Sequence, residues 1–344
     1  MTDTDMKSTR SPIAHVLGGL VAITLALALA LGPAKAAGQP IPAALDVAFK
    51  GWLAQNQVSD ASMAVMKDGA VVATFGYGAG NPSAPGRVAS LSKAITGVCV
   101  ATLIDQGRLS FKSDLGSVLA KTFASMGEPV DPRFKAITIE QLLTHRSGLA
   151  REAEGDAFGD PARGIDGMFS AVLKTPLQSD PGGDMLYSNI GYLTLGKVVE
   201  VVTGSDYESY CRHAALESAG VTGSIDPALR QRAPNGGWLL SAVDYAKFLQ
   251  VFSPGSKVLG KTSRQWLAAR TGDPAYGLGT FLRKTPHGLT VWHDGKVPAR
   301  IGGGAYQVKL AVGWTAVVIF AGTLADPAYT DLDRILFSGL RATP

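Results

Sequence analysis

A serine three residues ahead of a lysine can carry acyl chemistry, and Ser90-Leu-Ser-Lys93 is the one place in the chain where that spacing occurs. A hydroxyl is a weak nucleophile until a base takes its proton, and a lysine kept from water is neutral enough to be that base. If Ser90 opens a helix, the i, i+3 spacing sets the two side chains side by side, about 5–6 Å apart at Cβ. Unpaired N–H groups and the positive end of the helix dipole then lie next to the hydroxyl. The 24 serines and 16 lysines of this chain would produce about one such pair by chance, so the spacing needs company. Tyr187-Ser-Asn189 supplies some: it is the single Y-x-N, against about 0.1 expected from nine tyrosines and four asparagines. It follows Asp180-Pro-Gly-Gly and precedes a helical pattern, a loop position from which side chains reach into a cleft. His293-Asp-Gly295 follows the apolar run Leu289–Trp292 and brings a cation or donor to the same reach. Singly these are a capping serine with a surface lysine, a buried tyrosine and a turn histidine. Together they describe a nucleophile, its base and a polar wall.

Competing chemistries find less support. Gly255 to Thr262 matches the phosphate-loop pattern G-x-x-x-x-G-K-[ST]. That loop needs a strand before it, whereas a capped helix opening at Ser241 and then Pro254 precede this one, so it reads as a turn. There is no G-x-S-x-G and no H-E-x-x-H, and His15, His145, His213, His287 and His293 form no close pair. Neither a metal nor a cofactor is expected. The two cysteines exclude a disulfide framework and a four-thiolate zinc site. Cys99 and Cys211 each fall inside a helical pattern, and buried free thiols are expected rather than a bridge.

The elements that must position these residues follow from pattern. The chain has 344 residues, 46% hydrophobic and 17% charged, and folds. Its net charge of +4 is spread without a basic block, which gives no footprint for nucleic acid. Residues 1–36 read as a signal peptide: Lys7, Arg10 and His15, then an uncharged run from Val16 to Leu31, then Ala34-Lys35-Ala36. The mature chain, 37–344, is expected to be exported, periplasmic or secreted, with no membrane insertion after cleavage; the alternative reading of the apolar run is an uncleaved membrane anchor. Residues 41–56 carry Leu45, Phe49 and Leu53 on one helical face, and two short apolar runs meet at Asp68-Gly69, a hairpin signal. Ala94 to Leu103 reads as a buried helix. The middle, about 130–255, is helical, with starts at Thr138 and Ser241 and further helices over 192–202 and 207–216. Strands return at 276–282, 289–292, 305–310 and 315–321, and 332–340 closes as a helix. The resulting fold class is α/β in the α+β sense: a mainly antiparallel sheet built from both chain ends, flanked by helices, with an all-helical insertion.

In this order the motifs resemble the serine β-lactamase and penicillin-binding protein superfamily, above all its class C-related esterases and D-amino-acid peptidases. Arg87 to Lys93 resembles its nucleophile segment, Leu142 to Leu149 a helix end, and Tyr187 to Tyr192 its second motif. Gly236 to Ser241 and Tyr276 to Gly279 resemble smaller landmarks, and His293-Asp-Gly295 stands where the third motif belongs. The resemblance implies an acyl-enzyme on Ser90, with Lys93 and an ionised Tyr187 sharing the base. The N–H groups of Ser90 and Lys296 would hold the oxyanion, Asn189 would bind the substrate's amide or acyl side chain beside Gly295, and His293 would support the site electrostatically. Expected substrates are small esters, amides or peptides, D-Ala-D-Ala-type peptides included. Lactamases of this group usually carry Lys-Thr-Gly where this chain has His-Asp-Gly, which disfavours β-lactam hydrolysis; Lys296 or Arg300 would be the replacement cation. The alternatives are a β-lactamase and a penicillin-binding or sensor protein without turnover.

Overall fold

The apolar runs at the two ends of the chain pair with each other. The computed structural model describes residues 43–153, 160–272 and 275–341, so the expected leader, 1–36, lies outside the described residues. The strands are β1 (Ala61–Lys67), β2 (Ala70–Tyr77), β3 (Gly86–Arg87), β4 (Ser224–Ile225), β5 (Trp238–Leu240), β6 (Ala275–Gly277), β7 (Thr280–Thr285), β8 (Gly288–Lys296), β9 (Gly304–Lys309) and β10 (Trp314–Phe320). The large sheet is antiparallel in the order β2-β1-β10-β9-β8-β7-β6, and β3, β5 and β4 form a small second sheet. β1 lies against β10 with Ala61 opposite Phe320 and Lys67 opposite Trp314.

Both faces of the large sheet are covered, which is why β9 and β10 are buried at every position. Met63, Val65, Tyr306 and Val318 face the two terminal helices, Ala43–Gln55 and Asp326–Arg341, through Leu45, Phe49, Leu332 and Leu336. The alternate residues Ala64, Val291, Ala305 and Val317 share a core with Leu91 and with Ala94 and Val98 of the nucleophile helix, Ser92–Asp105. Between β3 and β6 the chain is mostly helical. Thr138 and Gln141 close a capping box on Ile139–Leu143, Ser188 caps Asn189–Thr203, and Ser241 caps Ala242–Phe248. The pattern over 207–216 winds as an α-helix only to Cys211 and loosens to a π-helix over Arg212–Leu216.

The single strand expected over 276–282 is instead a hairpin. Leu278 and Gly279 both have positive φ, 48° and 80°, and connect β6 to β7 in a two-residue primed turn. A side chain at Gly279 would place its Cβ 2.1 Å from the Lys93 carbonyl carbon, and one at Gly97 would lie 2.4 Å from that of Leu278. Turn and nucleophile helix touch backbone to backbone.

The expectation of free thiols is corrected: Cys99 and Cys211 form a disulfide, with Cα atoms 5.4 Å apart. The reason is the packing of the helix Tyr207–Cys211 across the nucleophile helix. Thr96 Oγ1 and Tyr207 OH meet at 2.6 Å, and one turn further along each helix stand Cys99 and Cys211. Helical periodicity shows each cysteine buried but not that the two faces oppose.

The phosphate-loop match is also settled by packing. Asp105 at the end of the nucleophile helix accepts hydrogen bonds from the N–H groups of Gly260 (2.7 Å) and Ser263 (3.0 Å), so a carboxylate already holds the start of helix Lys261–Ala269.

Two outcomes follow. In denaturant without reductant, neither cysteine should alkylate, and both should after reduction; with a sequence separation of 112, reduction should cost about 4–5 kcal/mol of stability, read by chemical denaturation. Gly279→Ala should lose at least about 2 kcal/mol, since a Cβ there meets backbone and not a mobile side chain.

Candidate active site

Ser90 stands where the loop after β3 turns into the nucleophile helix, in the 3-10 turn Ala89–Leu91 that runs into Ser92–Asp105. Ala89 has φ 49°, a left-handed conformation that costs about 1–2 kcal/mol outside glycine and persists only if its surroundings enforce it. They do. Val88 N–H donates to the Trp238 carbonyl (3.2 Å), Trp238 N–H to Ser92 Oγ (3.1 Å), and Tyr245 OH to the Leu91 carbonyl (2.7 Å). Arg87 pairs with Asp226 (2.7 Å) and donates to the Ile301 carbonyl (3.0 Å). Across the cleft, a Cβ at Gly295 of β8 would fall 2.8 Å from the Val88 oxygen and 3.0 Å from Ala89 Cβ, so only glycine lets the strand come this close.

Lys93 is fully buried. Its Nζ lies 3.1 Å from Ser90 Oγ, donates to the Asn235 carbonyl at 2.7 Å, and is 5.0 Å from the centre of the Tyr187 ring. Burial, and then the nearby cation of Arg232, hold its pKa well below the ordinary lysine value. Nζ thus has one proton committed to the Asn235 carbonyl and stands within hydrogen-bond reach of Ser90 Oγ.

Tyr187 hydrogen-bonds Ser90. Burial raises its pKa, with the Ser90 contact working the other way, so its surroundings favour the phenol over the ionised form expected from the resemblance. The ring rests on His145, centroids 4.3 Å apart, while Arg151 lies over it at 5.2 Å. His145 is fully buried and accepts the Ser188 N–H at Nδ1 (3.1 Å), which leaves the proton on Nε2.

His293 is also buried and its pKa is pushed down to about 4, by burial first. Its Nδ1 faces the Asp294 carbonyl, which can only accept, so Nε2 takes the hydrogen bond from Tyr276 OH at 3.0 Å. At neutral pH it brings no positive charge. The Lys296 side chain pairs with Asp326 of the terminal helix and lies 3.5 Å from Asp294. Its backbone faces the other way. Val297 N–H donates to the Gly303 carbonyl across the β9 side (3.0 Å), so by alternation the N–H of Lys296 points to the opposite edge. There β7 has already ended, its last pair being Phe281 with Trp292, and the edge opens beside Ser90. Asn189 donates its side-chain amide to Glu152 (2.6 Å), which is paired with Arg232 (2.8 Å). The cleft so formed has a volume of about 730 Å³ and is lined by Ser90, Tyr187, Asn189, His293 and Lys296 among others.

Thus Ser90, Lys93, Tyr187, Asn189, His293 and Gly295 converge, and Lys296 contributes its backbone while its ammonium is engaged elsewhere. Residues not read from the sequence complete the site. Asn235 binds Lys93 through its carbonyl and the Asn189 carbonyl through its side chain (3.0 Å), and it immediately precedes the Gly236 landmark, a signal that was there to use. The Glu152–Arg232 pair joins positions far apart in the chain and leaves no local pattern.

Residues 45–337 match the family model described as Beta-lactamase. Protein flp of Staphylococcus aureus (strain N315) is 26% identical over 187 residues, which are 52% of this chain and 37% of that protein; the match thus spans well under half the length of that relative. Among solved structures, SurE with D-Leu superposes with TM-score 0.71 at 21% identity, covering 86% of this chain and 76% of that one. A D-stereospecific amidohydrolase from Streptomyces sp. superposes with TM-score 0.68 at 18% identity, covering 86% and 98%. The fold, the ordered motifs and a family match over nearly all the described residues lead to one conclusion: the chain belongs to the beta-lactamase family, within the serine β-lactamase and penicillin-binding protein superfamily.

Proposed function

We propose that this chain is an exported serine hydrolase that cleaves small esters or D-amino-acid amides through an acyl-enzyme on Ser90. The observation that carries the reading is the buried amine of Lys93, poised 3.1 Å from Ser90 Oγ. Neutral Lys93 takes the Ser90 proton as Oγ bonds to the substrate carbonyl carbon. The N–H groups of Ser90 and Lys296 receive the negative charge on the carbonyl oxygen. When the bond to the leaving group breaks, Tyr187 passes it a proton and regains one from the Lys93 ammonium. A water then gives its proton to the Lys93–Tyr187 pair and its oxygen to the acyl carbon, and Ser90 leaves with a proton restored. Asn189 and its Glu152 partner offer a polar wall to the acyl group. The Cys99–Cys211 bridge favours an oxidising compartment, in keeping with export. Against a β-lactamase stand the uncharged His293 and the engaged Lys296, which leave the third motif without a free cation for a β-lactam carboxylate.

A fluorophosphonate should add once to the protein by intact mass and not at all to Ser90→Ala, which should lose about 10³-fold or more in aryl-ester kcat/KM with little change in Tm. Labelling that survives in Ser90→Ala would sink the reading. The pH profile of kcat/KM should rise as Lys93 loses its proton and level off well below the ordinary lysine pKa of 10.5, His293 titrating only near pH 4. A rate still climbing at about pH 10 would assign the base an unperturbed lysine. The depressed pKa also sets the sign of a stability effect. Below pH 10.5 the unfolded chain binds a proton at Lys93 that the folded chain refuses, so burying this amine costs stability at neutral pH, and the cost fades as pH rises toward 10.5. Lys93→Met should therefore melt no lower than the parent at pH 7 in a thermal scan, while its activity falls about 10³-fold.

A further inference from the structure

Most cations lining the cleft are committed. Arg232 is paired with Glu152, Lys296 with Asp326 and Asp294, and Arg283 lies over the Phe337 ring of the terminal helix at 5.0 Å. Arg151 differs. It lines the cleft, its side chain is exposed, and among the described residues it meets no carboxylate, its guanidinium resting 5.2 Å from the centre of the Tyr187 ring. Its position is fixed from behind, because its carbonyl accepts the Asn189 N–H at 2.8 Å and the next residue, Glu152, holds the Asn189 amide. The guanidinium therefore stands on the Asn189 wall, facing the acidic edge formed by Asp294 and Asp326, and covers the tyrosine that touches Ser90. A planar fork with free donors beside a nucleophile suits a carboxylate, which it can hold by two parallel hydrogen bonds.

We propose that Arg151 forms a carboxylate subsite for the acyl group, so that preferred substrates are half-esters or half-amides of short dicarboxylic acids, the free carboxylate a few methylenes from the scissile carbonyl. The inference rests on the acyl-enzyme reading, in which the acyl group lies along the Asn189 wall and the leaving group departs from it. It replaces the cation expected at the third motif with one on the opposite wall.

Three aryl esters test it on the full chain: phenyl acetate, monophenyl glutarate with the carboxylate on the acyl side, and 3-acetoxybenzoate with it on the leaving group, each corrected for the rate with Ser90→Ala. Because Arg151 also touches Tyr187, its loss changes every ester alike, and ratios of kcat/KM to phenyl acetate divide that out. In Arg151→Gln the glutarate ratio should fall about five- to tenfold, further in Arg151→Glu, and recover in part in Arg151→Lys. In the parent it should shrink with added salt. The 3-acetoxybenzoate ratio should move by less than about twofold. A flat glutarate ratio, or a fall confined to 3-acetoxybenzoate, overturns the subsite while leaving the hydrolase reading intact. No Ser90-dependent hydrolysis of any ester overturns both.

Discussion

A lysine that is to serve as the base proposed for Lys93 has to be kept from water, and much of this molecule is arranged around that burial. Lys93 sits on the first turn of a helix with hardly an exposed residue, roofed by the rings of Tyr187 and Tyr192 and floored by the large sheet. Its one committed proton goes to a backbone carbonyl, an acceptor that carries no full charge and does not draw the amine back to its protonated form. Arg232 adds a repelling cation, itself neutralised on its other side by Glu152, so the field at Lys93 is tuned without leaving a bare charge in the interior. Burial of this kind opposes stability, and the packing of both sheet faces offsets it.

The site is also a meeting of two chain segments that come from different parts of the fold. The turn that carries Ser90 is shaped by the small sheet and the middle helices, and the edge that faces it by the C-terminal strands. Glycines at 279 and 295 let the two backbones come into contact with no side chain between them. Distances around Ser90 are thus set by main-chain packing, the least compliant part of a protein. The strained Ala89 is consistent with this, since only a well-determined frame keeps an alanine in the left-handed region.

Much of the arrangement was legible before any coordinate. The order of apolar alternation at both ends with helical periodicity between foretold the sheet and its insertion, and the spacing of Ser90, Lys93, Tyr187, Asn189 and His293 named residues that do converge. What escaped has a common physical cause. The Cys99–Cys211 bridge, the Glu152–Arg232 pair and the role of Asn235 depend on which faces of distant helices oppose each other, and period alone does not fix that. The β6–β7 turn was missed because Tyr276 to Leu282 reads as a continuous strand until Leu278 is forced to positive φ. The ionised Tyr187 implied by the resemblance differs for another reason: residue type does not show depth, and burial favours the phenol.

The pairing of β1 with β10 bears on how the chain comes to be folded at all. The second strand of the large sheet cannot join the rest until β10, Trp314–Phe320, has been made, because β1 has only β2 beside it before then. A two-stranded ribbon is marginal in water. The topology therefore delays completion of the large sheet until β10 is available, and until then the chain presents the bare edge of β1 that β10 will cover.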